Sequence, residues 1–187
     1  FSRYENASFD FENGTSPVGT VIDLDGNKVL QMGGDTNRWR LEGVHDAADG
    51  QQVHKGMAFS FRIQLSYTDG DTVYTTEDFE IYGKVDNGWD KGFMSTHLTT
   101  AGGKINLHGL ETDMDIEADK WYTITYILYD DASSVIAMVT NEAGTTFVGN
   151  VPAQNSMKGA TVFNFWTLEE TAKNNFRLDD IQEFYFD

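Results

Sequence analysis

Apolar and polar residues alternate along most of this chain. Phe59, Phe61, Ile63 and Leu65 share one face of a strand, with Ser60, Arg62, Gln64 and Ser66 on the other. Phe79, Ile81 and Val85 alternate in the same way with Glu80, Tyr82 and Lys84, and Phe9 and Phe11 with Asp10 and Glu12. A period of two is the mark of a half-buried β-strand. Turn residues punctuate these runs. Asn13-Gly14 ends the first, and Asp25-Gly26 makes a hairpin between residues 20–24 and 27–32. Gly102-Gly103 links 94–99 to 104–109, and a long strand over 120–130 pairs with 135–141 across a short turn. Asn141-Glu142-Ala143-Gly144 turns the chain before 145–149, and strands over 161–168 and 176–186 complete the set. The pattern leaves room for one helical turn, around 168–173. Roughly eleven to thirteen strands at regular spacing predict an all-β, antiparallel two-sheet β-sandwich of the jelly-roll kind. No linker or repeat interrupts the pattern, so one domain over residues 1–187 is expected.

Composition narrows the function classes. The chain has 187 residues, 40% of them hydrophobic and 23% charged, which suits a globular domain with a core large enough to fold without staples. It has no cysteine, which excludes disulfides, thiol catalysis and thiolate zinc sites. Thirteen basic residues against thirty acidic ones give a net charge of −17. That field disfavours nucleic acid and anionic membranes and leaves neutral ligands and divalent cations open. The first residue is Phe1, which fits a piece of a longer or processed chain with other domains.

Three segments carry a resemblance. Phe9-Asp10-Phe11-Glu12-Asn13-Gly14 resembles the first strand of sandwich modules that accompany bacterial polysaccharide-degrading enzymes. Asp119-Lys120-Trp121-Tyr122-Thr123-Ile124-Thr125-Tyr126 is similar to a strand of concanavalin A-like and laminin G-like domains, and Phe176-Arg177-Leu178-Asp179-Asp180-Ile181-Gln182-Glu183-Phe184 resembles their last strand. The resemblance implies a carbohydrate-binding module, secreted or at the cell surface, and monomeric. It also implies a structural calcium where the first and last strands meet. Glu12 and Asp179 or Asp180 would supply carboxylates there, with backbone carbonyls near Asn13 and Lys28.

The residues between the apolar positions suggest what is bound. With the phenylalanines inward, Arg62, Gln64, Glu80, Tyr82, His97, Asn106, His108, Asn164 and Trp166 would line the outer surface of a sheet. Aromatic rings stack on the C–H faces of pyranoses, and amides, carboxylates, imidazoles and guanidinium groups bond their hydroxyls. A polysaccharide or oligosaccharide is therefore the expected ligand. Trp89, in the polar loop Asp86-Asn87-Gly88-Trp89-Asp90-Lys91-Gly92, and Trp39, between Arg38 and Arg40, are expected at the rim. Trp121 is expected to pack at the core or its edge. The competing reading packs Trp166 and Tyr82 beneath a loop or a second layer.

Jelly rolls also host enzymes. Glu111, Asp113, Asp115 and Glu117 alternate like a hydrolase strand but carry no aromatic company, and read as a solvated acidic edge. A polysaccharide lyase would need a tyrosine or histidine base and groups for the uronate carboxylate, which Tyr82, His97, Arg62 and Gln64 could supply together. Tyr82-Gly83-Lys84 is a fragment of an alginate lyase motif. The expectation is a non-catalytic binding module, with a lyase or hydrolase as the first alternative and a laminin G-like protein-binding adhesin as the second.

Overall fold

The computed structural model describes residues 19–32, 40–44, 56–85, 92–99, 103–107, 110–129, 134–152, 160–166 and 175–186. Those residues form strands β1 (Gly19–Leu24), β2 (Asn27–Met32), β3 (Arg40–Val44), β4 (Gly56–Gln64), β5 (Ser66–Asp69), β6 (Thr72–Thr75), β7 (Asp78–Val85) and β8 (Gly92–Thr99). They continue with β9 (Lys104–Leu107), β10 (Leu110–Asp115), β11 (Tyr122–Tyr129), β12 (Ser134–Asn141), β13 (Thr146–Pro152), β14 (Ala160–Trp166) and β15 (Phe176–Phe186). Seven strands form one antiparallel sheet in the order β1-β2-β15-β4-β11-β12-β13. Six form a second in the order β10-β9-β8-β7-β14-β3, and β5-β6 is a separate hairpin. The strand expected around Phe9 and Phe11 and the helical turn expected at 168–173 lie outside the described residues.

Burial follows the alternation. Phe59, Phe61 and Ile63 of β4, Tyr122, Ile124 and Tyr126 of β11, and Val135, Ala137 and Val139 of β12 are buried, while their neighbours, Gln64 excepted, are partly exposed. Ile105 and Leu107 of β9 and Met114 of β10 join the same core from the six-stranded sheet. The two sheets therefore close on one apolar layer, as in sandwiches generally. They meet at their edges where β10 approaches β13. A Cβ on Gly149 would sit 3.0 Å from Leu110 Cδ1 and 3.1 Å from Phe147 Cε1, so a larger residue there would make these two side chains shift by a few tenths of an ångström.

The turns read from sequence have the geometry their residues demand. Asp25 and Gly26 both take positive φ (52° and 87°), as a two-residue hairpin twisted like its strands requires. Asp23 Oδ1 accepts the Gly26 N–H at 2.7 Å. Three strands were not anticipated, one of them β6. Residues 40–44 form β3, and the acidic run contributes β10, an edge strand with Thr112 and Met114 buried and Glu111, Asp113 and Asp115 exposed. The continuous run past Ile63 also breaks. β5 leaves the large sheet at Ser66, whose hydroxyl donates to Tyr74 O at 3.1 Å, and pairs with β6 instead.

Two buried tyrosines on β11 separate the worth of a phenol with partners from one without. Tyr122 Oη donates to Asp115 O at 2.7 Å and accepts the Glu117 N–H at 3.0 Å, which pins the chain between β10 and β11. Tyr126 Oη is fully buried with no hydrogen-bond partner among the described residues. Burial pushes both phenols up from the ordinary tyrosine value. A buried unpartnered hydroxyl carries its desolvation penalty uncompensated. Tyr122→Phe is expected to lower stability by about 1.5 kcal/mol, and Tyr126→Phe to leave it unchanged or raise it by up to about 1 kcal/mol. Urea denaturation of both variants checks this; losses of the same size would contradict it.

Candidate ligand-binding face

The six-stranded sheet brings most of the expected ligand residues into register. Trp166 of β14 lies opposite Glu80 of β7, and Glu80 lies opposite His97 of β8. Two residues along, Asn164 lies opposite Tyr82, and Tyr82 opposite Ser95. These two rows have the same parity, because Trp166 and Asn164, Glu80 and Tyr82, and His97 and Ser95 are each two apart. The row between them, Phe165–Ile81–Thr96, has the opposite parity. So does the row of Phe79 and Leu98, which continues to the buried Leu107. Asn106, partly exposed, lies opposite Thr99, and Thr99 opposite Asp78, one row beyond. The same sheet therefore carries Trp166, Asn164, Glu80, Tyr82, His97 and Asn106.

Arg62 and Gln64 do not belong to this group. Their strand, β4, sits in the middle of the seven-stranded sheet, on the other side of the sandwich core. Arg62 is on that sheet's outer face. Its Nη1 lies 3.4 Å from Asp180 Oδ2 and its guanidinium 4.9 Å from the Trp121 ring centre. Trp121 is thus a partly exposed packing partner at the sheet surface.

The expectation that Gln64 is solvent-facing is corrected: it is buried. It stands in a transverse row with Gln31 and Arg177, and all three meet through their side chains. Arg177 Nε donates to Gln31 Oε1 at 2.8 Å and Nη1 to Gln64 Oε1 at 3.2 Å, while Gln64 Nε2 donates to Asp119 O at 3.1 Å. The Tyr67 ring lies over the guanidinium at 4.2 Å, with Tyr74 stacked on Tyr67. The β5–β6 hairpin and the turn at Asp119 therefore roof this end of the sheet, and alternation alone cannot see a roof. Asp119, at a positive φ of 62°, accepts the Thr68 N–H at 2.8 Å and the Thr68 hydroxyl at 2.7 Å. Those two bonds hold its carboxyl below the usual aspartate value.

The lyase arrangement loses two members by the same topology. Tyr82 and His97 are on one sheet, and Arg62 and Gln64 on the other, so the four do not converge. The acidic run lies on the edge strand β10, where Asp115 Oδ1 is 3.2 Å from Lys104 Nζ.

Of the residues expected around calcium, Glu12 and Asn13 lie outside the described residues, and Lys28 is exposed on β2. Asp179 and Asp180 fall where β15 bulges between its pairings with Arg62 and Ser60. Asp179 is buried, and its Oδ2 accepts from Asn27 Nδ2 at 2.6 Å. Asp180, at a φ of 48°, is exposed and ion-paired to Arg62. The two adjacent carboxylates thus serve different partners, and no three His, Asp or Glu side chains among the described residues gather to hold a metal. Both carboxylates are the hard oxygen donors that calcium takes, and each is already engaged by a protein partner. Trp39, Trp89 and His108 lie outside the described residues.

Sequence reasoning missed β3. Arg40 lies opposite Trp166, and Glu42 opposite Asn164, so both rows extend by one strand. The signal was the short alternation of Arg40-Leu41-Glu42-Gly43-Val44, which is weak because its apolar members are few.

No protein-family model and no curated protein sequence matches the chain. Solved structures do resemble it. Peanut lectin superposes with a TM-score of 0.54 at 13% identity, covering 94% of this chain and 93% of its own. The catalytic domain of a glycoside hydrolase family 131 protein from Coprinopsis cinerea gives a TM-score of 0.57 at 13% identity, covering 95% of this chain and 81% of that one. An alginate lyase from Klebsiella pneumoniae gives 0.56 at 10% identity, covering 90% and 84%. At such identities the likeness speaks of the fold. The strand order, the shared core and these superpositions make the chain a concanavalin A-like jelly roll.

Proposed function

We propose that the chain is a non-catalytic carbohydrate-binding domain and that its ligand lies on the outer face of the six-stranded sheet. One observation carries the reading: the register that aligns Trp166 with Glu80 and His97, and Asn164 with Tyr82 and Ser95. An indole and a phenol one strand apart, among an amide, a carboxylate and an imidazole, match the alternating apolar and hydroxylated surfaces of a sugar. That such a fold serves a lectin supports the class of ligand. The net charge of −17 favours a neutral glycan over a polyuronate. Binding at one site of this kind is weak, micromolar to millimolar, and gains by multivalency in a larger, secreted or surface-attached protein. Calcium enters this reading as a staple at the end of β15 beside β2, with Asp179 its candidate ligand.

A catalytic reading keeps one point in its favour, since hydrolase and lyase domains share the fold. The separation of Arg62 and Gln64 from Tyr82 and His97 weighs against the lyase considered above. A glycan array on the wild type, Trp166→Ala and Trp89→Ala tests the proposal. Trp166→Ala is expected to lower affinity about tenfold or more, as loss of a stacking anchor does. Product release from any polysaccharide by the wild type would replace the binding module with an enzyme. Capture of proteins with no glycan signal would favour the adhesin.

A further inference from the structure

The β5–β6 hairpin forms a sheet of its own, and β6 is its outer strand, with no further strand beside it among the described residues. Thr72, Val73, Tyr74 and Thr75 of β6 are all exposed, Val73 at 59%. Each of the four is β-branched or aromatic, and none is charged. Proteins guard such edges with charge, proline or a bulge. β10 is guarded by Glu111, Asp113, Asp115 and a break in register. β13 has Leu110 of β10 against it, and β1 carries Asp23. β6 has none of these guards and pairs with β5 without a shift. We propose that β6 is a docking strand, and that its occupant is an extended basic segment of another protein, added beside it as a third strand.

The backbone decides which groups the edge offers. The Thr76 N–H donates to Leu65 O at 2.8 Å, so these two residues face each other across the hairpin. Ser66 and Thr68 face the other way: Ser66 O accepts the Asp119 N–H at 2.9 Å, and the Thr68 N–H donates to Asp119 Oδ1 at 2.8 Å. Direction alternates along each strand of an antiparallel pair. Tyr67 and Asp69 therefore face Tyr74 and Thr72, their partners in register, and Val73 and Thr75 turn N–H and C=O outward. Thr75 O accepts from Asn175 Nδ2 at 3.5 Å. Among the described residues, the Val73 N–H and C=O and the Thr75 N–H are left for an incoming strand. Asp119 also accepts the Thr68 hydroxyl, and Arg177 lies against Tyr67, so β5 holds the edge in place. A preorganised edge loses little entropy on binding.

Charge selects the occupant. Residues 66–78 include Asp69, Asp71, Glu77 and Asp78 and no lysine, arginine or histidine. An extended segment with a β-branched centre and basic flanks gains backbone bonds along β6 and attraction at both ends. A second copy of the chain does not. Antiparallel pairing about Val73 would set the Asp71 end of one hairpin beside the Glu77 end of the other, between bodies of net charge −17. The hairpin is no part of the six-stranded sheet, and its docking does not depend on a carbohydrate.

The test titrates the whole chain with a labelled synthetic peptide, Lys-Lys-Thr-Val-Tyr-Val-Thr-Lys-Lys, read by fluorescence anisotropy. One control peptide has glutamate for every lysine, and another is N-methylated through its central residues. The wild type is expected to bind the basic peptide saturably, more weakly in high salt, and each control about tenfold more weakly or worse. Val73→Pro removes an outward donor and leaves the bonds to β5, as proline on a free edge does. It should weaken binding about tenfold, the scale of one or two lost backbone bonds. Val73→Lys keeps the donor and opposes the basic flanks; it should weaken binding too, and it decides the matter if circular dichroism shows the proline variant unfolded. No binding by the wild type, equal binding of either control, or unchanged binding by the folded variants would overturn the proposal. Wild-type dimers in sedimentation that Val73→Lys abolishes would put a second copy in the peptide's place and overturn the occupant.

Discussion

Arg177→Met is expected to lower the stability of the fold by about 3 kcal/mol. Arg177 is buried on β15, yet its neighbours within hydrogen-bond reach are neutral: Gln31 Oε1, Gln64 Oε1 and Thr68 O, at 2.8, 3.2 and 3.5 Å. The Tyr67 ring covers the guanidinium at 4.2 Å and adds a desolvated cation–π contact. Methionine fills much of the volume but donates nothing. Three oxygens then lose a donor, two of them on the side chains that flank Arg177 in register, and the seat of the β5–β6 hairpin loosens. Arg177→Lys is expected to recover less than half of the loss, because an ammonium is a point donor and cannot span a fork between β2 and β4. Urea unfolding at neutral pH with an unchanged denaturant slope checks both. A loss below about 1 kcal/mol for Arg177→Met would mean that the cluster is wet.

Phe59→Ala is expected to cost about 4 kcal/mol, and Ser60→Ala under about 1 kcal/mol. Phe59 has no exposed surface and lies 5.6 Å from the Phe61 ring, at the centre of β4 between β11 and β15. Its truncation leaves a cavity that three paired strands cannot collapse to fill. Ser60, the next residue, shares one hydroxyl contact of 2.9 Å with Thr125 on the partly exposed face. The contrast tests the phase of the sandwich, because a one-residue slip would exchange the two effects. Comparable losses at both positions in thermal unfolding would overturn the assignment of inner and outer faces in the large sheet.

Much of this was legible without coordinates. The period of two, the Asp25-Gly26 hairpin, the pairing of β11 with β12 and the turn before β13 are local, and local sterics and burial decide them. The acidic edge was legible as well, since Met114 alternates with exposed acids on β10. Gln64 was not. Its alternation places it beside Arg62 on the outer face, and only the arrival of Arg177, Asp119 and the β5–β6 hairpin buries it.

The sequence by itself determined that the chain is a sandwich of antiparallel strands and which residues of each strand share a side. Side-chain parity is a property of one strand and is written in its own residues. Tertiary structure alone decided which strands lie next to each other. β4 pairs with β11 and β15, far from it in sequence, and so carries Arg62 and Gln64 away from Tyr82 and His97. β3 pairs with β14, some 120 residues later, and so brings Arg40 and Glu42 to Trp166 and Asn164. Strand order is a contest among long-range pairings that the pattern within any one strand does not encode.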